Sequence, residues 1–386
     1  MSEQLVIPEY VPEENRRKIL ELAGESEREV SQVECCEYLI RHWCETIEDG
    51  NPLYLDEDYA RSRGFRGLVA QPGMIICTLT LPYRWPWPEG YRSRRLIHFY
   101  LKELLELPVG ILANYEKWFY EPVQIGDRLS STVRLLSISP WRRTRLGEGY
   151  FTKVETNYYN QHDDVVARAY TTLFSYGGKR GPDGQLRPEG TEPPPSDVSR
   201  RAVPSTVGDQ APAEPPTDDA IAGGWHGATE ECLESWRTGW KAQPPAELYW
   251  EKVEVGQELP ELVMPITVTR CALMASASRD FAPQHHNTWY AHNKSKTRDM
   301  FLGTHFNMGM MSRFMTDWGG PWSTVRRIQL AMKRSICAGE DMLMTGRVRE
   351  KYAKDGEHRV DLDIEINTDK GTAYQAGGTL ALPTRG

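Results

Sequence analysis

The residues best placed for chemistry in this 386-residue chain lie in one ten-residue stretch, Ser278-Arg279-Asp280-Phe281-Ala282-Pro283-Gln284-His285-His286-Asn287. A carboxylate, Asp280, and an imidazole, His285, stand five residues apart with Pro283 between them. Proline holds φ at roughly −65° and removes one backbone donor, so the turn is stiff. A stiff turn keeps an acid and a base in one small volume at low entropic cost. An imidazole of ordinary pKa, about 6.5, is suited to moving a proton at neutral pH. A plainer reading makes Asp280 a turn residue whose side chain bonds the backbone, which Asp-x-x-Pro favours. His285 is then an ordinary histidine beside His286. His285, His286, His292 and His305 also raise a metal site, but their spacing gives no ligand pair on one helix face. No metal is expected.

The elements that must position this pair recur twice along the chain. In the first half a helix over Glu34–Glu48 ends in Asp49-Gly50-Asn51-Pro52, followed by a short helix through Ala60 and an apolar helix over Met74–Leu81. Strand-like runs follow at Ala113–Tyr120, Asp127–Ser139, Gly149–Asn160 and Val165–Tyr176. The second half repeats the programme. It has a strand at Leu262–Val268, helices at Arg270–Arg279, Trp289–Ser295 and Phe306–Trp318, and strands at Thr324–Ser335, Met342–Tyr352, His358–Asn367 and Thr372–Leu382. Each half predicts an α+β unit, an antiparallel sheet wrapped around one helix. Laying Asp49 on Asp280 puts Asn51 on Ala282, Pro52 on Pro283 and Tyr54 on His285. The first copy therefore keeps the turn and carries a phenol, a poor base near pH 7, in place of the imidazole.

The predicted boundaries are an N-terminal helical extension over 1–32, a degenerate repeat over 33–177, a linker over 178–247 and a catalytic repeat over 248–386. The extension contains a charged helix over Glu13–Glu29 with Ile19, Leu20 and Leu22 apolar, read as a surface appendage. Trp85-Pro86-Trp87-Pro88 interrupts the first repeat like an insertion or lid. The linker is rich in proline and glycine, with one possible helix carrying Trp225, Leu233, Trp236 and Trp240. A formal net charge of −8 argues against nucleic acid and anionic membranes as partners. No apolar run reaches the length of a membrane span. Seven cysteines with no Cys-x-x-Cys spacing fit a reduced, cytoplasmic protein.

The order of these motifs, with Asp-x-Asn-Pro, then Ala70-Gln71-Pro72-Gly73-Met74, then Asp280 with His285, resembles the MaoC-like dehydratases and R-specific enoyl-CoA hydratases. The resemblance implies a double hot-dog fold with one active and one degenerate copy, their sheets joined edge to edge. It implies that Asp280 and His285 activate water for hydration of a trans-2-enoyl-CoA to a 3-hydroxyacyl-CoA, or the reverse. Family spacing places the backbone donor for the thioester oxygen at Gly303, although this chain reads Leu302-Gly303-Thr304 where His-Gly-Met is usual, with Gly309 as a substitute. Asn287 either orients the histidine or caps the next helix. Arg327 and Lys333, on one face of an alternating strand, are candidates for coenzyme A phosphates, with Arg326 and Arg334 on the other. The expected ligand is an acyl-CoA substrate with no further cofactor, and the expected assembly a homodimer or a hetero-oligomer with another hot-dog chain. A non-catalytic subunit completing a partner's site and an acyl-CoA thioesterase are the alternatives.

Overall fold

The structure is a computed structural model and describes residues 5–80, 97–144, 147–177, 248–295 and 297–385, with only the backbone of Ile76. The tryptophan-proline insertion and the linker with its possible helix lie outside the described residues. Eleven strands form one antiparallel sheet: β1 (Glu29–Val30), β2 (Val109–Phe119), β3 (Ser130–Ile138), β4 (Arg142–Thr144), β5 (Gly147–Tyr159), β6 (Val165–Tyr176), β7 (Glu258–Ile266), β8 (Thr324–Met332), β9 (Glu340–Lys354), β10 (Glu357–Thr368) and β11 (Gly371–Leu382). Their order is β1-β3-β5-β6-β2-β8-β11-β10-β9-β7, with β4 beside β5. The order reads the same outward from the β2–β8 seam in both directions, as a repeat pairing edge to edge requires. At the seam Tyr115 faces Leu330 and Lys117 faces Ile328 across the ladder. Joining the two edges removes strand ends that would otherwise recruit other chains. This is a double hot-dog fold of the α+β class.

Period-two alternation explains which strand residues turn inward. Along β10, Val360, Leu362, Ile364 and Ile366 are all buried. They pack against the central helix Thr304–Gly319, whose Phe306, Met308, Met310, Met311, Phe314 and Met315 are buried around its whole circumference. The corresponding segment of the first copy differs from expectation. Instead of an α-helix over Met74–Leu81, a 3-10 helix spans Pro72–Ile76 and turns follow through Thr80, with Leu81 outside the described residues. The run Ile75-Ile76-Cys77-Thr78 is rich in β-branched side chains, which disfavour α-helix. Thr78 Oγ1 is also drawn away to donate to the Ala277 carbonyl at 2.6 Å.

The two copies meet through glycine backbones. A Cβ on Gly73 would stand 2.8 Å from the Gly309 Cα and 2.7 Å from Gln71 Oε1, while a Cβ on Gly309 would stand 2.8 Å from Trp43 Cζ2. Backbone cannot rotate out of the way as a side chain can. Gly73→Ala is expected to cost about 1–3 kcal/mol by overpacking, measured as a lowered urea midpoint at unchanged m.

The N-terminal helix, Glu13–Ala23, is not an appendage. Ile19 and Leu22 are buried in a second core with Ile97 and Leu101 of the helix Ile97–Leu104 and with Val133, Leu135 and Tyr150 of the sheet, while Leu20 stays exposed. Two apolar residues at a three-residue spacing suffice to dock a helix when a matching groove exists, which the helix's own sequence does not reveal. Among the described residues no helix is long and apolar enough to cross a membrane.

Candidate active site

The helix Val268–Ser278 ends when Arg279 takes the left-handed conformation at φ 61°. Ser278 Oγ accepts the Asp280 N–H at 3.2 Å and donates to the Met274 carbonyl at 2.6 Å, which fixes the start of the turn. Asp280 Oδ1 then accepts the Ala282 N–H at 3.2 Å. Pro283 begins a 3-10 helix, Pro283–His285, that lifts the histidine back over the aspartate. The two carboxylate oxygens of Asp280 have different surroundings. Oδ1 holds the turn, and Oδ2 lies 3.6 Å from His285 Nε2 and 3.8 Å from His305 Nε2.

His285 is 5% exposed, and its Nδ1 sits 2.7 Å from the Phe301 carbonyl oxygen. A carbonyl only accepts, so Nδ1 carries the hydrogen, and in the neutral ring Nε2 is a bare acceptor. With the ring neutral, Nε2 and Oδ2 are two acceptors facing each other, an arrangement that can take both hydrogens of one water. His286, the neighbour it could be confused with, is exposed and turns its Nε2 to the Phe281 carbonyl at 3.2 Å.

The first copy repeats this turn and closes it. Glu48 is left-handed at φ 54°, and Asp49 Oδ1 accepts the Asn51 N–H at 3.1 Å, as at Asp280. There Asp49 Oδ2 meets the Gln71 amide at 3.5 Å, and Gln71 also accepts from Trp43 Nε1 at 3.0 Å. Tyr54 is buried at the histidine's position. Burial, reinforced by the Asp317 carboxylate, pushes the Asp49 carboxyl up to about 7. The site is filled with structural bonds.

Residues 25–169 match the family model for the FAS1-like dehydratase domain region. The chain is 30% identical over 161 residues to a probable enoyl-CoA hydratase alpha subunit of Thermomonospora curvata, covering 41% of this chain and 50% of that one. It is 31% identical over 94 residues to the 3-oxo-4,17-pregnadiene-20-carboxyl-CoA hydratase beta subunit of Mycobacterium tuberculosis, covering 24% of this chain and 72% of that one. A solved MaoC-like dehydratase, 16% identical, superimposes with a TM-score of 0.64 over 94% of this chain and 98% of its own, which is a likeness of fold. This chain belongs to the MaoC-like dehydratase family. It spans about half the length of the alpha-subunit relatives that it matches.

In this MaoC-like chain Gly303 caps the start of the central helix, and a Cβ there would stand 3.7 Å from His285 Nε2 and Cε1. The first N–H groups of that helix have no acceptor within it and point outward at its positive end, next to the histidine. Gly309 lies against Trp43 in the core, away from this end. The Asn287 side chain accepts the Tyr290 N–H at 2.9 Å and caps the helix Thr288–Tyr290. Asn287→Ala is therefore expected to lose about 1 kcal/mol of stability, with Asn287→Asp restoring it, both read by urea denaturation.

The two cations considered for phosphate contacts are not on one strand face. β8 ends at Met332, so the alternation that pairs Arg327 with Lys333 does not extend to Lys333 or Arg334. Arg327, opposite in parity to inward Ile328 and Leu330, lies 3.6 Å from Glu116 and 3.9 Å from Asp361. Lys333 is exposed. Arg326 pairs with Glu357, and Arg334 is buried against Glu340 at 2.8 Å.

His305 stands beside the pair and Lys117 lies within electrostatic reach of His305, roles that the sequence marks for neither. His305, which the sequence offers only as a metal ligand, shares Asp280 Oδ2, and its Nδ1 is buried without a partner among the described residues. Burial lowers its pKa, against the pull of Asp280 and with the help of His285 and Lys117. Lys117, from β2 of the first copy, is fully buried. Its position between Glu116 and Trp118 in an alternating strand was the available signal.

Proposed function

We propose that this protein hydrates a trans-2-enoyl thioester to a 3-hydroxyacyl thioester, and dehydrates in reverse, at the Asp280–His285 pair. The observation that carries the reading is the division of labour in the turn. Phe301 takes the only hydrogen of a neutral His285, and Ala282 takes one oxygen of Asp280. What remains is Nε2 and Oδ2, both acceptors, 3.6 Å apart. One water donates a hydrogen to each and turns its oxygen lone pairs outward, toward the β-carbon of a bound substrate. As the C–O bond forms, the pair takes one water proton and the double-bond electrons move to the thioester oxygen as an enolate. N–H groups at the start of the central helix, at Gly303, stabilise that charge. The proton held by the pair passes to the α-carbon, so the elements of water are added with none left over.

Coenzyme A is the favoured carrier of the acyl group, since relatives named as hydratases carry that substrate in their names. Lys333, exposed beyond the end of β8, is the cation best placed for its phosphates, with Arg327 committed to carboxylates. A second reading, in which the chain completes a site with another hot-dog subunit, is favoured by the alpha and beta subunit names of those relatives. A panel of trans-2-enoyl-CoAs, followed by loss of the conjugated thioester absorbance with the purified chain alone and with any copurifying chain, tests both. Turnover by the chain alone supports the first reading. Turnover that appears only with the second chain supports the other, and none in either case removes both.

A further inference from the structure

The inward face of β2 carries two donors that nothing among the described residues satisfies. Lys117 Nζ and Tyr115 Oη are both buried and both without a hydrogen-bond partner among the described residues. They are two positions apart on one strand, so they share a face. Across the seam they sit opposite Ile328 and Leu330, on the side that covers the central helix. Both lie within electrostatic reach of the Cys77 thiol, and that thiol is within reach of Asp280. Thr78, the next residue, bonds the last turn of the helix that presents Asp280. The charge of Lys117 also reaches His305, which shares the Asp280 carboxylate. Through Thr78 and its bond to Ala277, this wall of the first copy is tied to the helix that leads into the candidate site of the second.

An unpaired buried donor is costly, and an amine more so, unless something bound supplies the acceptor. The rings around Lys117 do not supply one. The faces of Tyr158 at 4.7 Å and Phe119 at 5.3 Å steady a cation but accept no conventional hydrogen bond.

We propose that Lys117 and Tyr115 recognise a hydrogen-bond-accepting oxygen on the acyl group, so that the preferred substrates are enoyl thioesters carrying a carbonyl, hydroxyl or carboxylate beyond the reacting double bond. The proposal rests on the hydratase reading for the chemistry but not for the recognition. A site built to bond an oxygen rejects the analogue that lacks it, because the donors are then left bare.

The test uses the full chain with three medium-chain trans-2-enoyl-CoAs: one unsubstituted, one with a ketone and one with a carboxylate near the end distal to the thioester. The saturated counterparts, which cannot react, are titrated by calorimetry. The wild type is expected to favour an oxygenated substrate over the alkyl one by at least about tenfold in kcat/KM and in affinity. Lys117→Met and Tyr115→Phe are each expected to reduce that ratio by about 10- to 100-fold. The ketone and carboxylate arms distinguish a neutral acceptor from an anion. Equal handling of alkyl and oxygenated thioesters by the wild type, or a ratio unchanged in both variants, overturns the proposal, as does failure of any acyl-CoA to bind. Lys117-dependent binding of the saturated oxygenated thioesters without hydration of any enoyl-CoA upholds recognition and removes the hydratase reading. Tyr115→Phe, which deletes one hydroxyl, keeps the test decisive should Lys117→Met misfold.

Discussion

Asp280→Asn is expected to lower kcat/KM for enoyl-CoA hydration by about 10²–10⁴-fold while leaving the fold intact. The amide oxygen of asparagine replaces Oδ1 and still accepts the Ala282 N–H, so the turn persists. The amide nitrogen replaces Oδ2, and a donor then stands where the water needs an acceptor. The urea midpoint should therefore stay within the usual range for a silent surface change, about 0.5 kcal/mol, while the absorbance assay shows the loss. His285→Ala removes the other acceptor and is expected to lose activity on the same scale. It also leaves the Phe301 carbonyl without its donor, so some stability is lost with it, about 1–3 kcal/mol. Because the two groups hold one water, the double variant should be little worse than the poorer single one. Full turnover in Asp280→Asn, with its stability unchanged, would remove the assignment.

Lys117→Met is expected to make the protein more stable at pH 7, by an amount on the order of 3 kcal/mol. Burial pushes the folded amine down to about 7, from an ordinary value of 10.5. The unfolded chain holds its proton up to the higher value and the folded chain only to the lower one. Between about 7 and 10.5 the unfolded state therefore binds more protons, and stability rises with pH across that window. Below it the folded state bears the full penalty of a buried charge. Methionine has a similar volume and nothing to protonate, so the advantage of the variant should be greatest at pH 7 and below and shrink toward pH 10. Urea denaturation of both proteins at the two pH values measures it, and the difference between them cancels every other titrating group. An advantage that does not shrink with pH would show that Lys117 is not a desolvated cation. A residue whose removal stabilises the fold is best explained by what it does for a ligand.

The repeat was legible because its signals are local. Asp-x-x-Pro turns after helices, strands with alternating side chains and a central apolar helix each declare themselves within about ten residues. The equivalence of Asp49 and Asp280 was legible for the same reason, and both turns close with the same backbone bond to the side chain. The first copy's central segment departs from the helix that so apolar a run predicts, because its competing partner, the Ala277 carbonyl, lies 199 residues away from Thr78. The N-terminal helix was misjudged for a like reason, since the residues that bury Ile19 come from the distant Ile97–Leu104 helix and the sheet.

The sequence by itself determined the two-copy α+β plan, the one copy in which carboxylate and imidazole share a stiff turn, and the replacement of that imidazole by Tyr54 in the other. Those are matters of residue type and short spacing, which a chain carries along its length. Only the tertiary structure decided that Phe301 fixes the His285 hydrogen, that His305 joins Asp280, and that Lys117 and Tyr115 of the first copy are buried without a partner among the described residues. Each of those facts is a meeting of distant segments or a bond left unmade, and both are settled by how the strands pair and the helices cross.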